Sequence, residues 1–249
     1  MRAGLVLLAV LVGAGCTDPS DELTVLAASS LTEAFGELAQ AYSRQHPGVD
    51  VRLSFAGSQV GRLQIEHGAP VDVFASAHPE HVEALVQAGL AKEPVVFAAN
   101  ALVLVVRAES GLTQFEDLPS ARSIVLAADA VPAGRYAHRV LQAADRRRPG
   151  FLAEVSEKVV SLESNVRLVR AKVALGVADA ALVYRSDAVG TGPDLRVIEL
   201  PSELRTQVRY PAVELRRSHR PDQARAWVEL LTSPGGQAIL RKWGFEGPS

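Results

Sequence analysis

Residues 23–42 read LTVLAASSLTEAFGELAQAY, and the period of the apolar positions changes in the middle of them. Leu23 to Ala28 is a short run with no charge, the pattern of a strand buried on both faces. From Leu31 onward, Leu31, Ala34, Phe35, Leu38, Ala41 and Tyr42 fall on one helical face. Between the two lie Ser29 and Ser30. Ser30-Leu-Thr-Glu33 has the spacing of a capping box, so the helix is expected to open there with Ser30 as its cap. His46-Pro47-Gly48 supplies its stop. A buried strand that passes through a small polar turn into an amphipathic helix is the building unit of α/β proteins.

The same unit recurs outward from this stretch. Val49 to Phe55 alternates as a second strand, Ala56-Gly57-Ser58 is a turn, and Gln59 to His67 is a short helix. Val71 to Ala75 and His78 to Ala88 repeat the pair. Further strands are expected at Ala101–Arg107, Ile124–Ala128, Ala180–Tyr184 and Val197–Leu200, with helices at Gly134–Ala144, Asn165–Leu175 and Pro221–Thr232. Repeated exchange of the two periods excludes a helical bundle and an all-β sandwich. Two segments, Asn100 to Val106 and Gln207 to Val213, look like crossings between two bodies. On that reading residues 23–100 plus 212–249 form lobe one, and residues 101–211 form lobe two.

The chain has 249 residues, 48% hydrophobic, 22% charged, with a formal net charge of -2, so it can bury a real core but presents no basic footprint for nucleic acid. Its first 16 residues read as a leader: Arg2, an apolar run from Leu5 to Val12, then Gly13, Ala14 and Gly15 before Cys16, the single cysteine of the chain. That run is too short to span a bilayer and reads as a signal peptide. A lone cysteine there resembles the acylated cysteine of bacterial lipoproteins, although Gly13 stands where that motif carries an aliphatic residue. Thr17 to Glu22 reads as a polar tether. The protein is therefore expected outside the cytoplasm, periplasmic or otherwise extracytoplasmic, and lipid-anchored to the membrane through Cys16.

Catalytic patterns are missing. The sequence has no phosphate-binding loop of the G-x-x-x-x-G-K type, no H-E-x-x-H and no G-x-S-x-G. His78-Pro-Glu-His81 is the one histidine cluster, without a third ligand nearby, and it reads as a surface helix start. What the sequence does offer is small polar residues at strand-to-helix turns: Ala27 to Ser30, Phe55 to Ser58, Val131 to Gly134 and Ser164 to Val166. In an open α/β sheet such turns converge beyond the carboxyl ends of the strands, where helix N-termini offer unpaired N–H groups to an anion. A fully deprotonated oxyanion carries acceptors only, so a site for it needs donors only. Hydrogenphosphate carries a proton and is served by an acceptor such as Asp. These turns hold Ser, Ala, Gly and Val, which favours molybdate, tungstate or sulfate over phosphate.

Taken in order, Ala27-Ala-Ser-Ser-Leu-Thr-Glu33, Ser54-Phe-Ala-Gly-Ser58, Gly68-Ala-Pro-Val-Asp-Val-Phe-Ala-Ser76, Val131-Pro-Ala-Gly134, Ala180-Ala-Leu-Val-Tyr-Arg-Ser-Asp-Ala188, Tyr210-Pro-Ala and Trp243-Gly-Phe245 resemble the periplasmic molybdate-binding proteins of ABC importers. The resemblance runs from about Leu23 to Phe245. It implies an α/β, two-lobed class II solute-binding fold, each lobe a mixed sheet flanked by helices, that holds molybdate or tungstate between the lobes and passes it to an ABC permease. It further implies a monomer with no catalytic residue, no cofactor and no metal cation. The oxyanion would be held by the hydroxyls of Ser30, Ser58 and Tyr184 and the backbone amides of Ala133 and Val166, completed as the lobes close. Ser29, Gln59 and Arg135 depart from the family pattern; Arg135 is expected to be solvated. The alternatives are a sulfate or thiosulfate receptor of the same architecture, a lipoprotein sensor of a small anion, and an enzyme on the same scaffold.

Overall fold

The structure, a computed structural model, describes residues 22–248; the leader, Cys16 and the first five tether residues lie outside the described residues. In chain order the elements are β1 (Glu22–Ala28), α1 (Thr32–Gln45), β2 (Asp50–Ala56), α2 (Ser58–Glu66), β3 (Val73–Ala75), α3 (Pro79–Gln87), β4 (Val95–Arg107), β5 (Ile124–Ala127), α4 (Pro132–Arg147), α5 (Phe151–Glu157), β6 (Val159–Glu163), α6 (Val166–Ala174), β7 (Ala180–Tyr184), α7 (Arg185–Ala188), β8 (Leu195–Glu199), β9 (Gln207–Glu214), α8 (Pro221–Thr232) and α9 (Pro234–Lys242).

The strands form two mixed sheets that share β4. In the first, β1 lies parallel between β2 and β3, and β9 runs antiparallel to β3 and to the first half of β4, Val95 to Ala101. In the second, the other half of β4, Leu102 to Arg107, is antiparallel to β7 and β8, and β5 is parallel to β6 and β7. The molecule is thus a two-lobed α/β fold, each lobe a mixed sheet with helices against it. The one polar residue in the middle of β4, Asn100, is buried at the point where the strand passes from one sheet to the other.

Alternation along the strands divides the first lobe into layers. Leu23, Val25 and Ala27 of β1 join Phe35 and Tyr42 of α1 and Trp227 of α8 in the main core, whereas Leu26 and Phe74 point the other way, to Ile65 of α2 and Val82 and Leu85 of α3. Trp227 meets Phe35 edge-on at 5.5 Å and Tyr42 at 5.6 Å between ring centres, a fully buried aromatic cluster under the first sheet. In the second lobe α4 and α6 cover β5 and β7, the latter buried along its whole length.

One expected feature does not form. Ser30 does not cap α1: Ser29 to Leu31 make a single 3₁₀ turn, and α1 opens at Thr32 with no side-chain cap. Thr32 instead donates to the Ser29 carbonyl at 2.6 Å. The physical reason is competition, because the Ser30 hydroxyl lies 2.9 Å from the buried hydroxyl of Tyr210 on β9, far away in sequence.

Candidate functional site

The carboxyl ends of β1, β2 and β5 all lead into turns that meet between the lobes. Ser30 sits in the 3₁₀ turn after β1, and Ser58 is the first residue of α2. Ala133 is the second residue of α4, after Pro132, and Val166 is the first residue of α6. First-turn amides have no acceptor within their own helix, so these N–H groups face outward from the helix ends. Tyr184 ends β7. All five residues named from the sequence, with Ser29 and Asn165 beside them, line one small cleft. Among the described residues, no charged side chain lines it.

Each hydroxyl is set by what stands behind it. The oxygen of Ser58 accepts the Ala77 N–H at 3.0 Å, which leaves its own proton to donate. Tyr184 is fully buried and its hydroxyl has no hydrogen-bond partner among the described residues. Burial pushes its pKa well above the ordinary value, so it remains a neutral donor. Asn165 caps α6 by accepting the Leu168 N–H at 3.1 Å, which fixes the helix end that carries Val166.

Glycine permits two of the close approaches. A Cβ on Gly134 would stand 2.2 Å from the Ala128 carbonyl oxygen, so only glycine lets the start of α4 close over the end of β5. A Cβ on Gly57 would stand 2.7 Å from the Ser164 carbonyl oxygen, which belongs to the other side of the cleft.

Several contacts bridge the two sides. Gln59 donates to the Ser164 carbonyl at 3.0 Å, Arg167 pairs with Glu33, and Arg135 pairs with Glu80. The expectation of a solvated Arg135 is corrected here: it is about a third exposed, at 34%, but its guanidinium is engaged by Glu80 and the Asp129 carbonyl rather than free. The histidine pair also differs from a surface helix start. His78 does cap α3, accepting the Glu80 N–H at 3.2 Å, but His81 turns inward and is buried. Burial, then the neighbouring His78 and Arg135, lower the His81 pKa to about 4, so the ring is neutral. No metal-binding group of three or more His, Cys, Asp or Glu occurs among the described residues.

Sequence reasoning missed the residues behind the cleft. Tyr210 and Asp187, the latter three residues after Tyr184, both stand in the quoted motifs without a role of their own. Asp187 is fully buried and neither carboxyl oxygen has a hydrogen-bond partner among the described residues. Burial raises its pKa to about 7 against the opposing pull of Arg167 and Arg170. The signal for Tyr210 was a polar side chain in a strand otherwise buried there, whereas Asp187 stands in a polar helix start that gives none. A larger groove lies at the other end of β1, lined by Glu22, Arg52, Asp72, Arg217 and Arg220 among others. It carries both signs of charge, and Arg220 at the start of α8 is on its lining. The smaller cleft gathers the starts of α2, α4 and α6 with no charged side chain of the described residues, which makes it the better anion site.

The chain belongs to the bacterial extracellular solute-binding protein family, whose pattern matches residues 23–246. A molybdate-binding protein of Mycobacterium tuberculosis is 33% identical over 239 residues, 94% of this chain and 88% of the relative. Among solved structures, the periplasmic molybdate-binding protein of Azotobacter vinelandii superposes with a TM-score of 0.81 at 23% identity, covering 91% of this chain and 100% of its own. The sulfate-binding protein SubI of Mycobacterium tuberculosis superposes with a TM-score of 0.80 at 17% identity, covering 91% of this chain and 86% of its own. At those identities the structures speak for the fold, which is that of class II periplasmic binding proteins. The protein is an extracytoplasmic solute-binding protein of the ABC-importer type, and its family and fold are those of binding proteins rather than enzymes.

Proposed function

We propose that this extracellular solute-binding protein captures molybdate or tungstate between its lobes and hands it to an ABC permease. The observation that carries the reading is a cleft lined by the hydroxyl-bearing Ser30, Ser58 and Tyr184 and by residues of helix first turns, with no charged side chain among the described residues that line it. In this proposal the hydroxyls of Ser30, Ser58 and Tyr184 and the amides of Ala133 and Val166 hold the four oxygens. Donors alone suit an ion that carries only acceptors; a carboxylate in contact would repel it, and a hydrogenphosphate would leave its proton unpaired. The 33% identity to a molybdate-binding protein over nearly the whole chain supports the same cargo. Lobe one is taken as residues 23–100 plus 212–249 and lobe two as 101–211, with β4 and β9 as the two crossings, and the bridging contacts close the cleft over the ion. The protein works as a monomer held at the membrane by a lipid on Cys16, and the oxyanion is its only ligand, with no cofactor.

A sulfate receptor is the second reading, because sulfate is equally free of protons and a sulfate-binding protein shares the fold. A sensor of a small carboxylate would call for an arginine in the cleft, and none of the described residues supplies one. Calorimetric titration of the purified protein with molybdate, tungstate, sulfate and phosphate separates the readings. Submicromolar binding of the first two, about 8 kcal/mol or better, with much weaker sulfate is the expected result. Tight sulfate with weak molybdate would transfer the function to a sulfur-oxyanion importer, and binding of none would remove the donor argument.

A further inference from the structure

Ser30 can face an anion usefully only if its proton points into the cleft, because a hydroxyl has one proton and two lone pairs. Whether it does depends on Tyr210, 2.9 Å away and fully buried, and from distance alone either oxygen could be the donor. The next residue back resolves the direction. Asn100 is 1% exposed, and its Oδ1 accepts the Ala101 N–H at 2.8 Å. A backbone N–H can only donate, so the amide cannot be flipped, and Nδ2 faces away from it. Nδ2 donates to the Ser186 hydroxyl at 2.9 Å. Burial pushes the Tyr210 pKa well above the ordinary value, and the same amide group lies close enough to the phenolic oxygen to pull against that larger push. With an N–H directed at its oxygen, Tyr210 passes its own proton to Ser30, and Ser30 in turn points its proton at the cleft. All four members of this chain are buried, and two of them, Asn100 on β4 and Tyr210 on β9, stand on strands that run between the lobes.

We propose that Tyr210, oriented by Asn100, is a specificity-determining positioning residue that holds Ser30 as an obligate donor and so makes the site reject protonated oxyanions. The inference rests on the proposed oxyanion function and extends it from the residues in contact with the ion to those behind them. Ser58 is committed in the same sense by the Ala77 N–H, but that donor is a backbone group which only a conformation-changing proline would remove, whereas the Tyr210 hydroxyl is removed by a conservative side-chain change.

The test compares wild type, Tyr210→Phe and Asn100→Asp by calorimetry at pH 7, with molybdate and inorganic phosphate as probes. Removing the phenol frees a Ser30 lone pair, which can then accept from hydrogenphosphate. Tyr210→Phe is expected to weaken molybdate about five- to tenfold, the effect of about one hydrogen bond, and to narrow the molybdate-to-phosphate ratio by more than that. Asn100→Asp reverses the chain: the carboxylate takes the Tyr210 proton, Ser30 must donate backwards, and its lone pair faces the ion. That variant is expected to lose more molybdate affinity than Tyr210→Phe; because a new buried charge repels any anion, the molybdate-to-phosphate ratio, not the order of the losses, is the readout that tests the relay. Thermal unfolding of each variant confirms that it is folded, and either variant alone suffices for the ratio. An unchanged ratio in a folded variant of a protein that does discriminate overturns the proposal and leaves the oxyanion reading intact. A wild type that prefers phosphate, or binds neither anion, overturns both.

Discussion

Asp187 and His81 hold the proton count of the folded protein away from that of the unfolded chain, and in opposite directions. Asp187 titrates at about 7 when folded against an ordinary value of 3.8, because burial disfavours its charge. Between those values the folded protein keeps a proton that the unfolded chain gives up, so the stability from this group is present below about pH 4 and is lost as pH rises through 7. His81 titrates at about 4 against 6.5, so its contribution is present above 6.5 and is lost as pH falls through 4. The two slopes oppose each other from about pH 4 to 6.5. Asp187→Asn removes one of them. The unfolding free energy of the variant minus that of wild type is expected to rise steadily from pH 4 to 7 and then level off. Urea titrations at stepped pH measure it, and parallel curves for the two proteins would mean that Asp187 does not carry the buried proton. Nothing in the sequence around Asp187 announces this state, since an acid in Arg185-Ser-Asp-Ala188 looks like any polar helix start. Its burial comes from packing against other elements.

At the scale of elements, the cleft depends on how closely opposed helix starts can approach. Gly57 is the point of contact, with extended φ and ψ of -62° and 140° that alanine adopts freely, so Gly57→Ala should fold normally. Its methyl would meet the Gln59 side-chain amide at 2.5 Å, a flexible end that can swing away, and the Ser164 carbonyl across the cleft at 2.7 Å, a contact that exists only when the sides are together. The expected outcome is an unchanged melting temperature without ligand, a loss of about tenfold or more in anion affinity, roughly the 1–3 kcal/mol of a modest overpacking clash, and a more open shape in small-angle scattering. A matching fall in the melting temperature would show that the methyl strains α2 itself. The elements that make the cleft were legible because strand-to-helix turns leave local marks: buried apolar runs, small polar residues, then a helical period. The first half of β4 was not. Val95 to Asn100 has no turn signal separating it from Ala101 and the apolar run beyond, and its strand character comes from pairing with β9, more than a hundred residues later in the chain. The capping box at Ser30 misled for the same reason in reverse, since a local pattern lost its serine to a tertiary partner. The short helices α5 and α7 and strand β6 carry too little periodicity to be read from one sequence.

For the whole molecule, no helix among the described residues is long and apolar enough to cross a membrane. Attachment, on the proposed reading, depends on Cys16 and the few tether residues before β1. Cys16→Ala is expected to move the protein from the membrane fraction to the soluble extracytoplasmic fraction without changing its affinity for the anion. Fractionation and immunoblotting decide it, and a wild type already wholly soluble after processing would remove the anchor. The path of β4 and β9 through the two sheets has a consequence for the birth of the protein. The edge of β3 is closed only by Phe74 and its neighbours pairing with Val213 and its neighbours on β9, and Trp227, at the centre of the aromatic cluster under the first sheet, comes later still. An exported chain emerges from its translocation channel with its N-terminus first. The first hundred residues must therefore wait, with a sheet edge exposed, until nearly all of the rest has been delivered, which makes lobe one the last part of the molecule to finish folding and the part most in need of protection while it waits.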